Sequence, residues 1–510
     1  MNPKLTKAQQ AMEIVQRSIA AQSAGRYDEA VALLRQAVRI NPNDVDMLRA
    51  LAQRFIILNE HDEPEKLLRA ALRLRPRSWE LHYELGSVLL RHGRVHEAMQ
   101  CMRKSVECNP PQAMPIVELA RLLDQSGKLD DFRNTVHLAI ARWPEDPSAR
   151  VMEAVLDIKT GDLESAEARL RKIVEQEGHA SSFALPLAWH RLGVVLEKSH
   201  RYPEAWEAFE KSRACRFDQM GRPASKVLAH IRANLDSLDR QSIEGWRSRA
   251  DQLPEPFGNF AMLVGFPRSG TTLLEVVLGT HPAVSTIEEM FFVEEANATV
   301  LRKVGLAGSI PRAIDACDDQ ERREVRDHYL SRCRGYLKGK VASGVILDKH
   351  PSRTHLAPFY LWMIPCAKII MPIRDPRDVV VSNFTQDMQN SALVSLDRIV
   401  DFYEACMNGW LMFRAWLGDA AIEVRYEDTV TDLEREARRI LDHLGLEWDP
   451  ALLAFHERAK SAYVGTPSYQ AVTQPVNTKA VGRWRRYEAQ LRPVLHRLEP
   501  FVEAFGYEPS

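Results

Sequence analysis

The sequence predicts a two-part chain, an all-α solenoid of repeated helical hairpins followed by an α/β domain with a central parallel sheet. Three observations predict it. Prolines recur at a spacing of 34 residues, at Pro42, Pro76, Pro110 and Pro144. After residue 259, short apolar runs alternate with helical patterns. At the start of that second part, the run Phe260–Val264 opens into Gly265-Phe266-Pro267-Arg268-Ser269-Gly270-Thr271-Thr272, a strand, a glycine-framed loop and a helix start.

The repeat comes first. Gly25, Gly93, Gly127 and Gly161 keep the beat of the prolines, with Asn59 in the missing place. Ala30, Ala98 and Ala166 keep it too, as do Ala37, Ala71 and Ala139. This is the tetratricopeptide period. Small residues let two antiparallel helices approach closely, and each proline ends the second helix of its unit, since it lacks an N–H and clashes with the preceding turn. A last unit, Trp189 to Arg213, carries Leu192-Gly193 and Ala205 after an insertion around Ser181 to Pro186. Five to six units are expected over residues 1–215, enough to bury a continuous core. Such an array offers a groove for a protein partner or an acceptor substrate. A structural arm that packs on the second part, or joins two copies, is the other reading.

Residues 216–258 read as a connector with a helix at Lys226–Ser237, ending in the breaker Pro254-Glu255-Pro256-Phe257-Gly258. The α/β domain is expected over 259–510, with strands at Phe260–Val264, Gly344–Leu347, Lys368–Ile373 and Ala421–Val424. In parallel sheets covered by helices, ligands bind at the carboxyl ends of strands. The candidate site residues all follow from that rule.

Composition removes several function classes. The 510 residues carry a formal net charge of −1, which gives no bulk electrostatic case for nucleic acid or membrane partners. Seven scattered cysteines without a C-x-x-C pair fit a reducing compartment and form no zinc framework. The polar start Met1-Asn2-Pro3-Lys4 lacks the apolar core of a signal peptide. The most apolar stretch, 357–373, is broken by Pro358, Pro365 and Lys368 and reads as a buried helix followed by a strand. The expected location is cytoplasmic.

The loop 265–272 is a phosphate cradle, because its backbone N–H groups and the helix N-terminus both face an anion. Its spacing is that of a P-loop, except that Thr271 stands where the lysine that reaches the β- and γ-phosphates belongs. Arg268 within the loop points to a nucleotide whose transferable group is not a γ-phosphate. The segment resembles the 5′-phosphosulfate-binding loop of sulfotransferases, which use 3′-phosphoadenosine-5′-phosphosulfate (PAPS). The arginine form resembles tyrosylprotein sulfotransferases and their bacterial relatives fused to tetratricopeptide repeats. The resemblance gives Arg268, Ser269, Gly270, Thr271 and Thr272 to nucleotide binding. Golgi-type tyrosylprotein sulfotransferases carry a membrane anchor, and none is read here, so the expectation is a bacterial protein.

Further elements line up in order. Arg374 ends a strand, Asp375 can cap and Pro376 fits the first turn of the next helix, and Ser382 lies eight residues beyond Arg374. An arginine and a serine so placed can converge on one phosphate. They resemble the 3′-phosphate motif of sulfotransferases. Asp348-Lys349-His350-Pro351 closes the strand Val345-Ile346-Leu347. Asp348 could be the magnesium ligand of a P-loop kinase. The resemblance instead gives the role to Lys349, placed on the bridging oxygen of the phosphosulfate, where charge grows as the S–O bond breaks. It puts Arg268 on the other side of the same oxygen. Sulfonate carries less charge than a phosphoryl group, so no metal is expected.

Glu288-Glu289 precede Met290-Phe291-Phe292. The stretch resembles the catalytic-carboxylate segment of tyrosylprotein and glycan sulfotransferases. A partly buried carboxylate among aromatics would have a raised pKa and suit proton abstraction from an acceptor. Position assigns the base to Glu289, with Glu288 as alternate and His350 and His281 as competitors. Toward the C-terminus, the family pattern matches Ser468 to a phosphosulfate-holding serine, Arg483, in the cluster with Arg485 and Arg486, to a 3′-phosphate ligand, and Tyr426 to an adenine-side tyrosine.

The resemblance thus implies a PAPS-dependent sulfotransferase acting on a hydroxyl or amine acceptor, with Glu289, Lys349, Arg268 and Ser468 catalytic. Two places depart from it. Tyrosylprotein sulfotransferases carry arginines two and six residues after the carboxylate, which help recognise acidic peptides. Here those places hold Phe291 and Glu295. A protein, a glycan and a small molecule stand level as acceptors. A P-loop kinase using Asp348, and a repeat scaffold with a vestigial catalytic half, are the competing classes.

Overall fold

The computed structural model describes residues 6–24, 26–57, 62–175, 184–220, 224–248, 260–301, 310–337, 344–387, 393–461 and 472–509. Two compact units divide at Ser165/Ala166.

The first unit is a run of helical hairpins. Lys7–Ser23 packs on Tyr27–Ile40, Val45–Ile57 on Asp62–Leu74, Trp79–Arg91 on Val95–Glu107 and Met114–Gln125 on Leu129–Arg142, and Pro147–Thr160 follows. The repeat prolines fall just past the second helix of each pair. Ala30, Ala37, Ala71, Ala98 and Ala139 are fully buried where the helices meet. The in-phase glycines do a different job from the one expected. Gly93, Gly127 and Gly161 sit in the turns between paired helices with φ of 67°, 67° and 88°, a left-handed backbone that disfavours a Cβ. Close helix approach rests on Gly86, where an added Cβ would lie 2.8 Å from Met102 Cε.

In the second unit, Ala184–Lys198 and Tyr202–Met220 form the last hairpin, and the helices Ala224–Asp236 and Arg240–Ser248 follow. The breaker 254–258 lies outside the described residues. The α/β fold is a five-stranded, all-parallel sheet: β1 Phe260–Leu263, β2 Val284–Glu288, β3 Val345–Lys349, β4 Lys368–Ile373 and β5 Ala421–Arg425, in the order β2-β3-β1-β4-β5. β2 was not expected from the sequence, because Val284-Ser285-Thr286-Ile287-Glu288 is half polar. It is an edge strand with only Val284 and Ile287 buried.

Alternation along the strands decides the chemistry of each face. Val345 and Leu347 of β3, with Ala261 and Leu263 of β1, pack in one core with Leu274 and Val277 of the helix that follows the loop, Thr271–Leu278. Lys349 shares their parity and so emerges on that face. Asp348 points to the opposite one, where Tyr329 and Tyr360 lie. The chain turns to β2 and β3 on one side of β1 and to β4 and β5 on the other, so the loop after β1 opens at a topological switch point.

Candidate active site

The loop is built tightly. Gly265 has φ of 124°, and both its N–H and its carbonyl bond the hydroxyl of Thr354, at 3.1 and 2.9 Å. Asn383, fully buried, donates to the carbonyl of Pro267 at 2.8 Å. Gly270 is the N-cap of the Thr271–Leu278 helix with φ of 100°, and Thr271 and Thr272 form its buried first turn, where backbone N–H groups lack intrahelical partners. An added Cβ on Gly270 would stand 2.8 Å from Tyr426 Cδ2. Gly270→Ala is therefore expected to cost about 2 kcal/mol of stability, from strain and collision together. A thermal melt reads the loss, and an unchanged midpoint would contradict the tight fit of loop on Tyr426.

Among the described residues, four that are not glycine have positive φ: Asn109, His200, Arg268 (75°) and Glu289 (48°). Two of the four are expected site residues. Held strain of this kind gathers at functional sites.

On the β4 side of the loop, cations converge. Arg268 Nε donates to Ser382 Oγ at 3.1 Å. Arg374, 6% exposed in its side chain, donates to the carbonyls of Arg268 (3.0 Å) and Ala480 (2.5 Å), and its guanidinium lies 4.6 Å from the centre of the Tyr426 ring. Arg374 and Asp378 make only a loose 3.8 Å contact. Asp378 instead accepts from the backbone N–H groups of Gly482 (2.7 Å) and Trp484 (2.8 Å), which brings Arg483 to this corner. Arg483 pairs through two edges with Glu197 of the last repeat hairpin, at 2.5 to 2.9 Å. Desolvation, then Arg374 and Arg483, push Arg268 down to about 10, so it still carries its charge near neutrality. Three guanidiniums gathered with one serine have the charge and the donors that suit an anion.

The last hairpin is fastened to the Ser382-bearing helix, Pro376–Phe384. Arg213 donates to the carbonyls of Phe384 (2.7 Å), Asn383 and Leu393, Trp206 stacks on Phe384 with centroids 4.0 Å apart, and His190 bonds the carbonyl of Thr385 at 3.1 Å. A cation at that helix C-terminus satisfies its orphan carbonyls.

On the β3 side stands Lys349, fully buried. Register explains its neighbours. Glu288 is the direct partner of Lys349 across β2–β3, and its carboxylate lies 3.6 Å from Nζ. The N–H of Glu289 bonds the carbonyl of Lys349 at 2.9 Å, and its left-handed turn returns its carboxylate to Nζ, also at 2.9 Å. A third carboxylate was not foreseen. Glu275, on the helix after the loop, lies 2.9 Å from the same Nζ with its side chain 7% exposed. Burial works against the Lys349 ammonium, but Glu275, Glu289 and Glu288 outweigh it and raise its pKa above the usual lysine value. Burial pushes Glu275 up to about 8 against the pull of Lys349. The burial expected of Glu289 is thus found at Glu275, while the Glu289 side chain is 41% exposed.

The remaining candidates fall as follows. Asp348 Oδ2 accepts from Tyr329 (2.5 Å) and Tyr360 (2.6 Å) on the far face of the sheet, and burial pushes it up to about 6. Asp348 thus points away from the sheet face that the loop helix covers. His281 is committed to the carbonyl of Glu447 (3.0 Å) and the N–H of Ala283 (3.1 Å). His350 is buried and kept neutral by burial, 3.5 Å from Glu294. Glu294 is bonded by Arg353, and Glu295 by Arg332 at 3.0 Å. Phe291 is 44% exposed. Arg268 is placed with Ser382 and Arg374, not with Lys349. Ser468 lies outside the described residues. Thr354, Asn383 and Glu275 were missed. Only Glu275 left a trace in the sequence, as the one charge in the helix Thr271-Thr272-Leu273-Leu274-Glu275-Val276-Val277-Leu278.

A glycine loop at the switch point of a parallel sheet, flanked by an arginine cluster and a lysine–carboxylate cluster, defines an α/β domain of the P-loop-like class. Residues 261–450 of that domain match the model of the sulfotransferase family, and residues 2–141 match a tetratricopeptide repeat model. The chain thus carries a stretch that matches tetratricopeptide repeats and a domain that matches the sulfotransferase family. A protein of Aquifex aeolicus is 24% identical over 429 residues, 81% of this chain and 54% of that protein. Protein-tyrosine sulfotransferase 1 of Danio rerio is 25% identical over 263 residues, 48% of this chain and 71% of that protein. Protein-tyrosine sulfotransferase of Drosophila melanogaster is 25% identical over 262 residues, covering 48% of this chain and 51% of its own length. The chain thus spans about half the length of two of these relatives. Among solved structures, the sulfotransferase domain of the Synechococcus PCC 7002 olefin synthase aligns over 46% of this chain and 90% of its own, with 22% identity and a TM-score of 0.35. No helix among the described residues is long and apolar enough to cross a membrane.

Proposed function

We propose that this chain transfers a sulfonate group from PAPS to a hydroxyl or amine acceptor by in-line displacement. One observation carries the reading: two separately built groups flank the same phosphate loop. Adjacent strands lie about 4.8 Å apart, so the end of β3 and the end of β4 are separated by roughly 10 Å across β1. An anion cradle on one side and a cation–carboxylate pair on the other suit a nucleotide charged at both ends.

PAPS, when bound, supplies the sulfonate, and the phosphoadenosine leaves with the electron pair of the broken S–O bond. The loop amides with Ser269, Gly270, Thr271 and Thr272 hold the 5′-phosphate. Arg374, Ser382, Arg483 and Arg268 hold the 3′-phosphate, and Tyr426 lines the adenine side. Glu289 takes the proton of the acceptor as its oxygen or nitrogen bonds sulfur. Lys349 donates to the bridging oxygen as charge develops there, with Ser468 in support. The repeats offer a surface for the acceptor or a protein partner, and the site of action is the cytoplasm.

Glu289→Gln is expected to lower PAPS turnover by about 10²–10⁴-fold with nucleotide affinity nearly unchanged. Release of 3′,5′-phosphoadenosine reads turnover. Parental turnover in the variant would remove Glu289 from the role of base.

A further inference from the structure

Three carboxylates share one ammonium in the β3-side cluster. Lys349 Nζ lies 2.9 Å from Glu275, 2.9 Å from Glu289 and 3.6 Å from Glu288. Glu289 is open to solvent and Glu288 partly so, at 41% and 28% of their side chains, while Glu275 is 7% exposed. Water can solvate the first two charges but not the third.

We infer that Glu275 is a positioning residue that anchors the Lys349 ammonium beside the loop and holds one proton, so that the cluster meets the leaving group without a further negative charge. This rests on the sulfotransfer reading given above. Geometry supplies the anchor. Glu275 lies one turn into the helix whose N-terminus frames the loop, and Lys349 ends the strand on the same face. Their pairing fixes the lysine relative to the loop without using a residue that must touch the acceptor. Electrostatics supply the proton. With all three carboxylates ionised, one positive charge would face three negative ones in a desolvated place. Protonation at the most buried site relieves this, in keeping with the rise of Glu275 to about 8. The groups facing it are Lys349 from β3, Glu288 from β2, Glu289 beyond β2 and the Tyr336 phenol of the helix Asp319–Leu337.

The sign follows. Below its pKa, Glu275 is neutral and Lys349 keeps its positive charge for the bridging oxygen. Above it, a carboxylate 2.9 Å from Nζ offsets that charge, and turnover falls. The parent protein is expected to lose about tenfold in PAPS turnover from neutral to alkaline pH. Glu275→Gln keeps the shape and the acceptor oxygen but cannot ionise, so its profile is expected to stay flat through that range, whatever its plateau.

Infrared difference spectra of the full chain supply a second readout that needs no substrate. A protonated-carboxyl band should disappear on raising the pH and be missing in Glu275→Gln. A band unchanged by that substitution, or an alkaline fall that persists in the variant, would overturn the proposal. Binding of 3′,5′-phosphoadenosine by Glu275→Gln confirms that the variant folds. Failure of the parent protein to bind it would count against the sulfotransfer reading alone, because the infrared band would still decide where the proton sits.

Discussion

Lys349→Ala is expected to lower sulfonate transfer by about 10²–10³-fold while 3′,5′-phosphoadenosine still binds within a few-fold of the parent. The side chain is fully buried and its ammonium is held by carboxylates on two sides, so its position is fixed before the nucleotide arrives. A preorganised cation pays no reorganisation at the moment of reaction and stabilises the charge that grows on the bridging oxygen more than the charge already there. The loss should therefore fall on turnover rather than on affinity. Removing the ammonium also leaves carboxylates without their partner, which costs stability. Lys349→Met fills the space and serves as the second variant. If either variant folds and keeps parental turnover, Lys349 is not the group that meets the leaving oxygen. If both bind the nucleotide at least a hundredfold more weakly, the lysine is a binding group.

Arg374→Ala should do the converse. Its guanidinium packs on Tyr426, ties the loop carbonyl of Arg268 to that of Ala480, and sits with Arg268 at the Ser382 corner. Removing one partner of a buried, charge-assisted contact costs about 2–5 kcal/mol, so nucleotide affinity should fall by at least 30-fold. Arg483 and Ser382 would remain and would not replace the lost contacts, because Arg483 is already committed along two edges to Glu197. Equal affinity in parent and variant would move the 3′-phosphate elsewhere. The two substitutions together separate the two sides of the loop, since one acts on rate and the other on affinity.

The repeat array and four strands could be read from the chain because each has a period or a strong apolar run. A 34-residue beat survives any tertiary detail, and Lys368–Ile373 was found with its observed bounds, because a strand buried on both faces reads as continuous apolar sequence. β2 escaped because an edge strand needs only half of its side chains apolar. Arg268 shows a different limit. Its place in the loop was plain, but the direction of its side chain depends on a left-handed φ and on Ser382, 114 residues away. Glu275 escaped for a similar reason. Its meaning comes from strand parity, which puts Lys349 on the face covered by the loop helix, and parity is settled only once the register of β3 is known. The Glu288–Lys349 contact likewise follows from β2–β3 register and from nothing local.

Calorimetric titration with 3′,5′-phosphoadenosine, run beside ATP with magnesium and repeated on Arg374→Ala, separates a site for the bisphosphate from a site for a nucleoside triphosphate. The bisphosphate is expected to bind without magnesium, the Arg374 variant to lose this binding, and ATP with magnesium not to compete at equal concentration. Binding of ATP with magnesium alone, unaffected by the loss of Arg374, would contradict the sulfotransfer reading and return the site to the kinase class.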